Sequence, residues 1–413
     1  MADQFTEVTR TGYGSNIVAS FKGMAFGVLL FLASFVVLWI SEGRTNWGSV
    51  ARESVPTDAG SPPSAGEGTF ISISGPLTTE ALTGDPEFLR PGPYVSLQRV
   101  VEMYAWKEES QSRTEKKIGG GSETTTTYTY SREWTENPAD SSDFKHPEGH
   151  FNPAPAVESR SFLAPSAKIG AYDIVPGEIV LPGGSSLSLG DELLVPRPET
   201  AAVAWTVSEE SATPPVSPSP AAVPSPSPAL SGQGPRFDGR YVYLGTGSGS
   251  APRVGDLRVS FLALPSGTGV TAFGAVRGTG IGPWYRNGEE RFFRALAGDR
   301  VQALSQLTTE YRVTTWILRA VGFLCMWIGL CMVVAPISAI LDVLPFLGGL
   351  TRGVLSLVLL LVSLVLSFLV VIVAKIFHNP VALVVLLLAA GAGAVILIRR
   401  ARRRAAPAPA PGG

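Results

Sequence analysis

Four apolar runs divide the chain: residues 23–40, 321–334, 355–373 and 381–398, with a long polar block between the first and the second. Each approaches the ~20 apolar residues that span a ~30 Å hydrocarbon core, the second once residues 316–320 are added. Inside lipid every backbone polar group must be satisfied within the segment, so these runs predict helices. The fold class that follows is an integral membrane α+β protein. It has four transmembrane helices, one N-terminal and three C-terminal, and a large β-rich extracytoplasmic domain between the first and second. The expected plan is a tail at 1–22, helices at 23–40, 316–337, 353–374 and 380–398, and the domain at 41–315. A connection at 338–352, broken by Pro345, Gly348 and Gly349, suits an interfacial helix, and 399–413 forms a second tail.

The pattern changes to β within the central block. Residues 94–106 are rich in β-branched and aromatic side chains, and 124–134 alternate Thr and Tyr about a period of two. The Gly-rich stretch 118–122 between them predicts a hairpin with a charged tip. Further strands are expected at 70–73, 179–181, 201–207, 240–244, 258–264 and 269–276, and an amphipathic helix over 295–317. Residues 211–230 are uncharged and repeat Ser-Pro, which predicts a flexible, extended insertion.

Charge sets the expected orientation. The formal net charge of −1 hides a block of 23 Lys and Arg against 31 Asp and Glu in 41–315, a net of −8; the rest carries 10 against 3, a net of +7. Arg399, Arg400, Arg402, Arg403 and Arg404 follow the fourth apolar run directly and suit contact with anionic lipid. Basic flanks stay cytoplasmic, so the C-terminus is placed there, four crossings bring the N-terminus to the same side, and the domain lies outside. That position explains the arginines without nucleic acid as a partner. The two cysteines, Cys325 and Cys331, lie inside the second run, so the domain must be held by its core rather than by disulfides. Abundant Arg, Ala, Gly and Pro point to a GC-rich, bacterial genome.

Little conventional chemistry is present. No Gly-x-Ser-x-Gly, Walker or His-Glu-x-x-His motif occurs. His146 and His150 have the i, i+4 spacing of helical metal ligands, but Pro147 and Gly149 between them favour a loop. They are the weak metal candidates of a chain expected to use no metal or cofactor. Adjacent acids such as Glu108-Glu109 point to opposite faces of a strand and suit no catalytic dyad. Gly23 and Gly27 in the first helix, and Gly391 and Gly393 in the fourth, allow close helix packing.

Several blocks together resemble the transmembrane protein 43 family, also called LUMA. They are Glu42-Gly43-Arg44; Val101-Glu102-Met103-Tyr104-x-Trp106; Tyr130-x-x-Glu133-Trp134; Gly149-His150-x-Asn152-Pro153; Val157-Glu158-Ser159; Val254-Gly255-Asp256-Leu257-Arg258-Val259-Ser260-Phe261; and Trp316-x-Leu318-Arg319-Ala320-x-Gly322. They run in order over nearly the whole chain. Residues 199–239 depart by being longer than family members usually carry. The resemblance implies a non-enzymatic membrane scaffold or organising protein that self-associates and binds protein partners. Family members in eukaryotes are placed in the endoplasmic reticulum and inner nuclear membrane; a bacterial member would occupy the cytoplasmic membrane. The matched residues carry no known catalytic role and read as structural. The competing readings are a channel, lipid-handling protein or transporter subunit built from the C-terminal helices, and an extracytoplasmic enzyme.

Overall fold

A computed structural model describes residues 3–117, 121–195, 236–341, 345–379, 383–385 and 388. The insertion at 211–230, the strand expected at 201–207, Gly391, Gly393 and the arginines at 399–404 lie outside these residues. So does most of the fourth apolar run. The chain divides into two compact units. One comprises Met1–Glu7, Gly48–Ser112 and Thr126–Gln306; the other comprises Val8–Trp47, Arg113–Thr125 and Leu307–Gly413.

The first unit is β-rich. Its larger sheet runs, in order, β1 (Asp3–Thr11), β4 (Ser122–Thr135), β3 (Tyr94–Lys116), β6 (Leu257–Pro265), β5 (Tyr241–Leu244) and the short strand Arg236–Asp238. Two further strands, Arg160–Leu163 and Ser185–Ser186, join it through β3 and β6. β3 and β6 pair antiparallel from Leu257↔Met103 to Ala263↔Leu97. This register turns Leu97, Val101, Met103, Leu257, Val259 and Phe261 to one face, where all are buried in a single apolar cluster. Residues of opposite parity, Glu102, Tyr104, Trp106 and Arg258, take the other face and stay partly exposed. Period-two alternation thus becomes one core face and one open face.

The second sheet of this unit is built around β2 (Phe70–Thr78) and β7 (Thr268–Arg277), paired antiparallel over their length. β8 (Arg294–Ala297) flanks β7. Val55–Asp58, Ala167–Ile169, Tyr172–Ile174 and Gly280–Gly282 complete it. Ile71, Ile73, Ile169, Tyr172, Val270 and Ala272 fill its core. The expected strand at 179–181 reduces to a single bridge between Val180 and Arg294.

The second unit is mainly helical, with the ends of β1, β3 and β4 added. α1 (Tyr13–Gly43), α2 (Arg300–Leu341) and α3 (Pro345–Phe377) are each long and apolar enough to cross a membrane. Their apolar stretches leave large side chains exposed, with Leu29, Leu357 and Phe368 between 59% and 65% accessible, as lipid-facing helices require. All three extend beyond the apolar runs. Residues 1–22, expected as a tail, hold β1 and the first turns of α1 within the described part. The connection at 345–352 continues into α3 rather than standing as a separate helix.

The helix expected over 295–317 begins later. Residues 294–297 are strand β8, Gly298 takes φ +94, and α2 starts at Arg300. Asp299 sets that start. Its carboxylate accepts from the Gln302 amide (2.8 Å) and the Gln302 side chain accepts from the Asp299 amide (3.2 Å), a reciprocal capping box.

Candidate functional site: the open face of the larger sheet

The family-like blocks converge on β3. Arg258 and Glu102 sit directly opposite across β6 and β3, and the guanidinium grips the carboxylate with two bonds, Nε–Oε2 2.6 Å and Nη2–Oε1 2.7 Å. The planar fork matches the carboxylate, so this pair fixes orientation as well as charge. The same guanidinium lies 4.7 Å from the ring centres of both Trp134 and Tyr241. Tyr104 packs on Trp134 at 5.3 Å, and Arg132 lies 5.0 Å over Trp106. The result is a half-buried ladder of aromatic rings and arginines on the face opposite the core.

Each neighbouring block supports this face by hydrogen bonding. Asn152 stands in for a strand: its Oδ1 accepts from the Trp106 amide (2.7 Å) and its Nδ2 donates to the Trp106 carbonyl (2.9 Å). Ser159 Oγ accepts from the Val101 amide at 2.9 Å. Gly255 and Asp256 exchange backbone bonds with Tyr104, at 2.9 and 2.8 Å. Gly255 has φ +92, and a Cβ there would come within 2.8 Å of the Pro153 ring, so that position demands glycine.

Asp256 is buried at 2% exposure and satisfies its charge entirely with local donors. The amides of Thr246 (3.0 Å), Gly247 (3.2 Å) and Arg253 (2.7 Å) and the Tyr243 hydroxyl (2.6 Å) all donate to it. That makes Asp256 the organiser of the 245–256 loop. A second buried charge is Arg99, in the apolar row of β3. It pairs with Asp85 (3.0 Å) and Glu87 (2.8 Å) and donates from Nε to the Glu158 carbonyl (2.9 Å). Buried charges of this kind are tolerated only when so paired.

His146 and His150 lie at the end of the face nearest β1. His150 stacks on Tyr130 with ring centres 3.9 Å apart and meets the Trp106 ring edge-on at 4.7 Å. His146 stacks on Phe5 at 4.4 Å. Gly149 between them takes φ +82, a turn rather than a helix. Among the described residues no three His, Cys, Asp or Glu groups gather closely enough to hold a metal ion. Tyr130 donates to Glu108 and accepts from the His146 amide (2.9 Å). Burial, reinforced by the Glu108 carboxylate, pushes its hydroxyl up to about 12.

The remaining blocks meet in the helical unit. Arg319 grips Glu42 with two bonds, 2.7 and 2.9 Å, and lies 5.2 Å over Trp316. A Cβ on Gly43 would fall 2.5 Å from His378 Nε2, and one on Gly322 2.6 Å from Leu38. Gly27 abuts Gly329, while Gly23 faces Met332. Arg44 is half-buried. The Glu-Gly-Arg and Trp-x-Leu-Arg-Ala-x-Gly blocks are thus two sides of one α1–α2 seam.

What sequence reasoning missed is the set of partners: Asp85 and Glu87 for Arg99, Glu108 for Tyr130, and Tyr243 for Asp256. A basic residue in the apolar row of β3 was the available signal that a buried acid must exist elsewhere. Chemically, the face holds neutralised charge and rigid rings, which suits recognition of another surface.

A sequence model of the family described as Transmembrane protein 43 matches residues 103–380. The chain is 28% identical over 396 residues to Transmembrane protein 43 of Homo sapiens, covering 90% of this chain and 88% of that protein. It is 33% identical over 183 residues to the Rattus norvegicus protein of that name, covering 42% and 45%. It is 31% identical over 158 residues to the Transmembrane protein 43 homolog of Drosophila melanogaster, covering 36% and 42%. No solved structure matches the chain.

Proposed function

The chain belongs to the transmembrane protein 43 family, and from that membership we propose a non-enzymatic organising protein that assembles membrane complexes through self-association and protein partners. The observation that carries this reading is the open face of the larger sheet. Trp134, Tyr104, Trp106, Arg258 and Tyr241 remain half-exposed there although each is large and firmly held. Aromatic residues and arginine dominate the energetic centres of protein interfaces, because rigid rings bury much area at little entropic cost. The Glu102 bond to Arg258 adds orientation without leaving net charge to desolvate.

Orientation follows from charge: the arginines at 399–404 favour a cytoplasmic C-terminus, with the large domain on the opposite face of the membrane. In a bacterium the membrane would be the cytoplasmic one.

The test is to purify the full chain in mild detergent, measure its mass by light scattering and identify co-purifying proteins. A defined oligomer or a reproducible protein partner is expected, and Trp134→Ala with Arg258→Ala should abolish it while the far-ultraviolet dichroism is kept. A clean monomer without protein partners would overturn the reading.

A further inference from the structure

The three long helices change from apolar to polar at one level. Glu42 and Gly43 end α1, Arg319 lies just ahead of the apolar run of α2, and Lys375 sits in the last turn of α3. The two bonds between Glu42 and Arg319, and the close approach of Gly43 to His378 Nε2, bring these points together. Trp39 packs on Phe377 at 5.7 Å and on His378 at 4.9 Å, while Trp316 lies beside Arg319. Trp39 and Trp316 stay 41% and 63% exposed, as indole rings do in the belt where hydrocarbon meets headgroups. All these residues belong to the second unit.

Two positive charges at this level are left over. Arg44 follows α1 with an extended backbone, and its Nη1 is enclosed without a hydrogen-bond partner. A guanidinium keeps its charge and presents its donors in a planar fork, so it requires an acceptor. Glu42, the acid nearest in sequence, is committed to Arg319 and also accepts from Ser41 (3.3 Å). Lys375 is exposed and has no ion-pair partner among the described residues. It lies one helical turn before His378, whose ring abuts Gly43 beside Arg44. Since the Glu42–Arg319 pair is neutral, the junction of α1 and α3 is net positive. Basic flanks ordinarily gather at the cytoplasmic ends of spans, whereas these two lie at the end of α1 that leads into the domain.

We infer that Arg44 and Lys375 form a binding site for the phosphate of an anionic phospholipid in the leaflet on the domain's side. The lipid phosphodiester is the acceptor that this depth supplies. Its oxygens suit the guanidinium fork, and the Lys375 ammonium adds a point charge. Trp39, packed on His378, gives the glycerol region of the lipid an apolar wall. A headgroup seated there ties the end of α1 to the end of α3, and so links the entrance of the domain to the lipid around it. The site is separate from the arginines at 399–404, which follow the fourth apolar run and, in the orientation proposed above, meet the other leaflet.

The test reconstitutes the full chain in phosphatidylcholine vesicles that carry a small fraction of phosphatidylglycerol with a photoactivatable headgroup. A parallel sample carries photoactivatable phosphatidylcholine with the same acyl chains, and mass spectrometry maps the labelled peptides. Residues 39–47 and 374–379 should be labelled several-fold more by the phosphatidylglycerol probe. Lys375→Gln, at an exposed side chain, should lower that preference, and adding Arg44→Gln should abolish it. Labelling at residues 399–404 and the far-ultraviolet dichroism should stay unchanged in both variants. Equal labelling by the two probes, or a preference that survives in the double variant, would overturn the site. Loss of the preference in inorganic phosphate, but not in chloride of equal ionic strength, would assign the site to a soluble anion and overturn the lipid reading as well.

Discussion

Arg319 and Glu42 stand 277 positions apart and close a two-bond ion pair in which the glutamate side chain is 3% exposed. Removing one partner strands a shielded charge, which costs about 3–5 kcal/mol where removing both costs far less. Arg319→Leu, which strands the Glu42 carboxylate, should therefore lower the thermal midpoint of the chain in detergent sharply, and adding Glu42→Gln should recover much of it. Equal loss in the single and double variants would mean that the pair contributes only packing.

Gly27 and Gly329 bring the backbones of α1 and α2 together. A Cβ on residue 27 would stand 2.6 Å from the Met332 Cβ and 2.9 Å from the Gly329 carbonyl oxygen, neither of which can yield without moving the helix. Gly27→Val should cost about 1–3 kcal/mol as overpacking. Gly23→Val, where the nearest atom is the flexible Met332 Cε at 3.7 Å, should cost less. Comparing the two melts reads the seam directly.

Asp256→Asn replaces one of two acceptor oxygens with an NH2 whose donors must face at least the Thr246 amide, which also donates. Hydrogen bonds to a charged acceptor contribute about 1.5–3 kcal/mol each and do not simply add. A loss of about 3 kcal/mol is expected, with the 245–256 loop becoming open to proteolysis while the helices keep their dichroism. Asp140, an exposed acid in a comparable turn, should tolerate the same change.

Tyr130 should titrate well above an ordinary tyrosine. Its hydroxyl is held up to about 12, against about 10 in the unfolded chain. The unfolded chain therefore releases this proton first. The stabilisation is complete below about pH 10 and is lost as pH climbs from 10 through 12. An absorbance titration should show a late phenolate that moves to lower pH in Glu108→Gln and is lost in Tyr130→Phe.

The sequence was legible where a local period decides the structure. The Thr/Tyr alternation and the Gly-rich tip located the β3–β4 hairpin, because one face of each strand must be buried and side chains alternate. The apolar runs located α1, α2 and α3, since lipid leaves a chain few options. Legibility failed where the partner is distant. β1 has no apolar face and is a strand only because β4 offers it an edge. Its Phe5, enclosed by His146 and Tyr130, gives no sign of that in DQFTEVTRT. The start of α2 was misplaced for the opposite reason. Leu296 fits a helical period, but the stronger local signal was Asp299-x-x-Gln302, a capping pair that begins a helix whatever precedes it. For the open face, the motif residues were visible singly; only the register Arg258↔Glu102 shows that they share one surface.

The pairing of β1 with β4 carries a consequence for the order in which the molecule is made. β1 leaves the ribosome well before its partner, which begins at Ser122, more than a hundred residues later. At ~5–20 residues per second that separation is on the order of ten seconds. For most of that interval α1 is complete and able to enter lipid, while the strand before it has no β4 to pair with. Commitment of α1 to the bilayer and closure of the sheet are thus separate events, and closure comes second. Until its own amino terminus returns, a nascent chain displays the outer edge of β4 to chaperones, to proteases and to other copies.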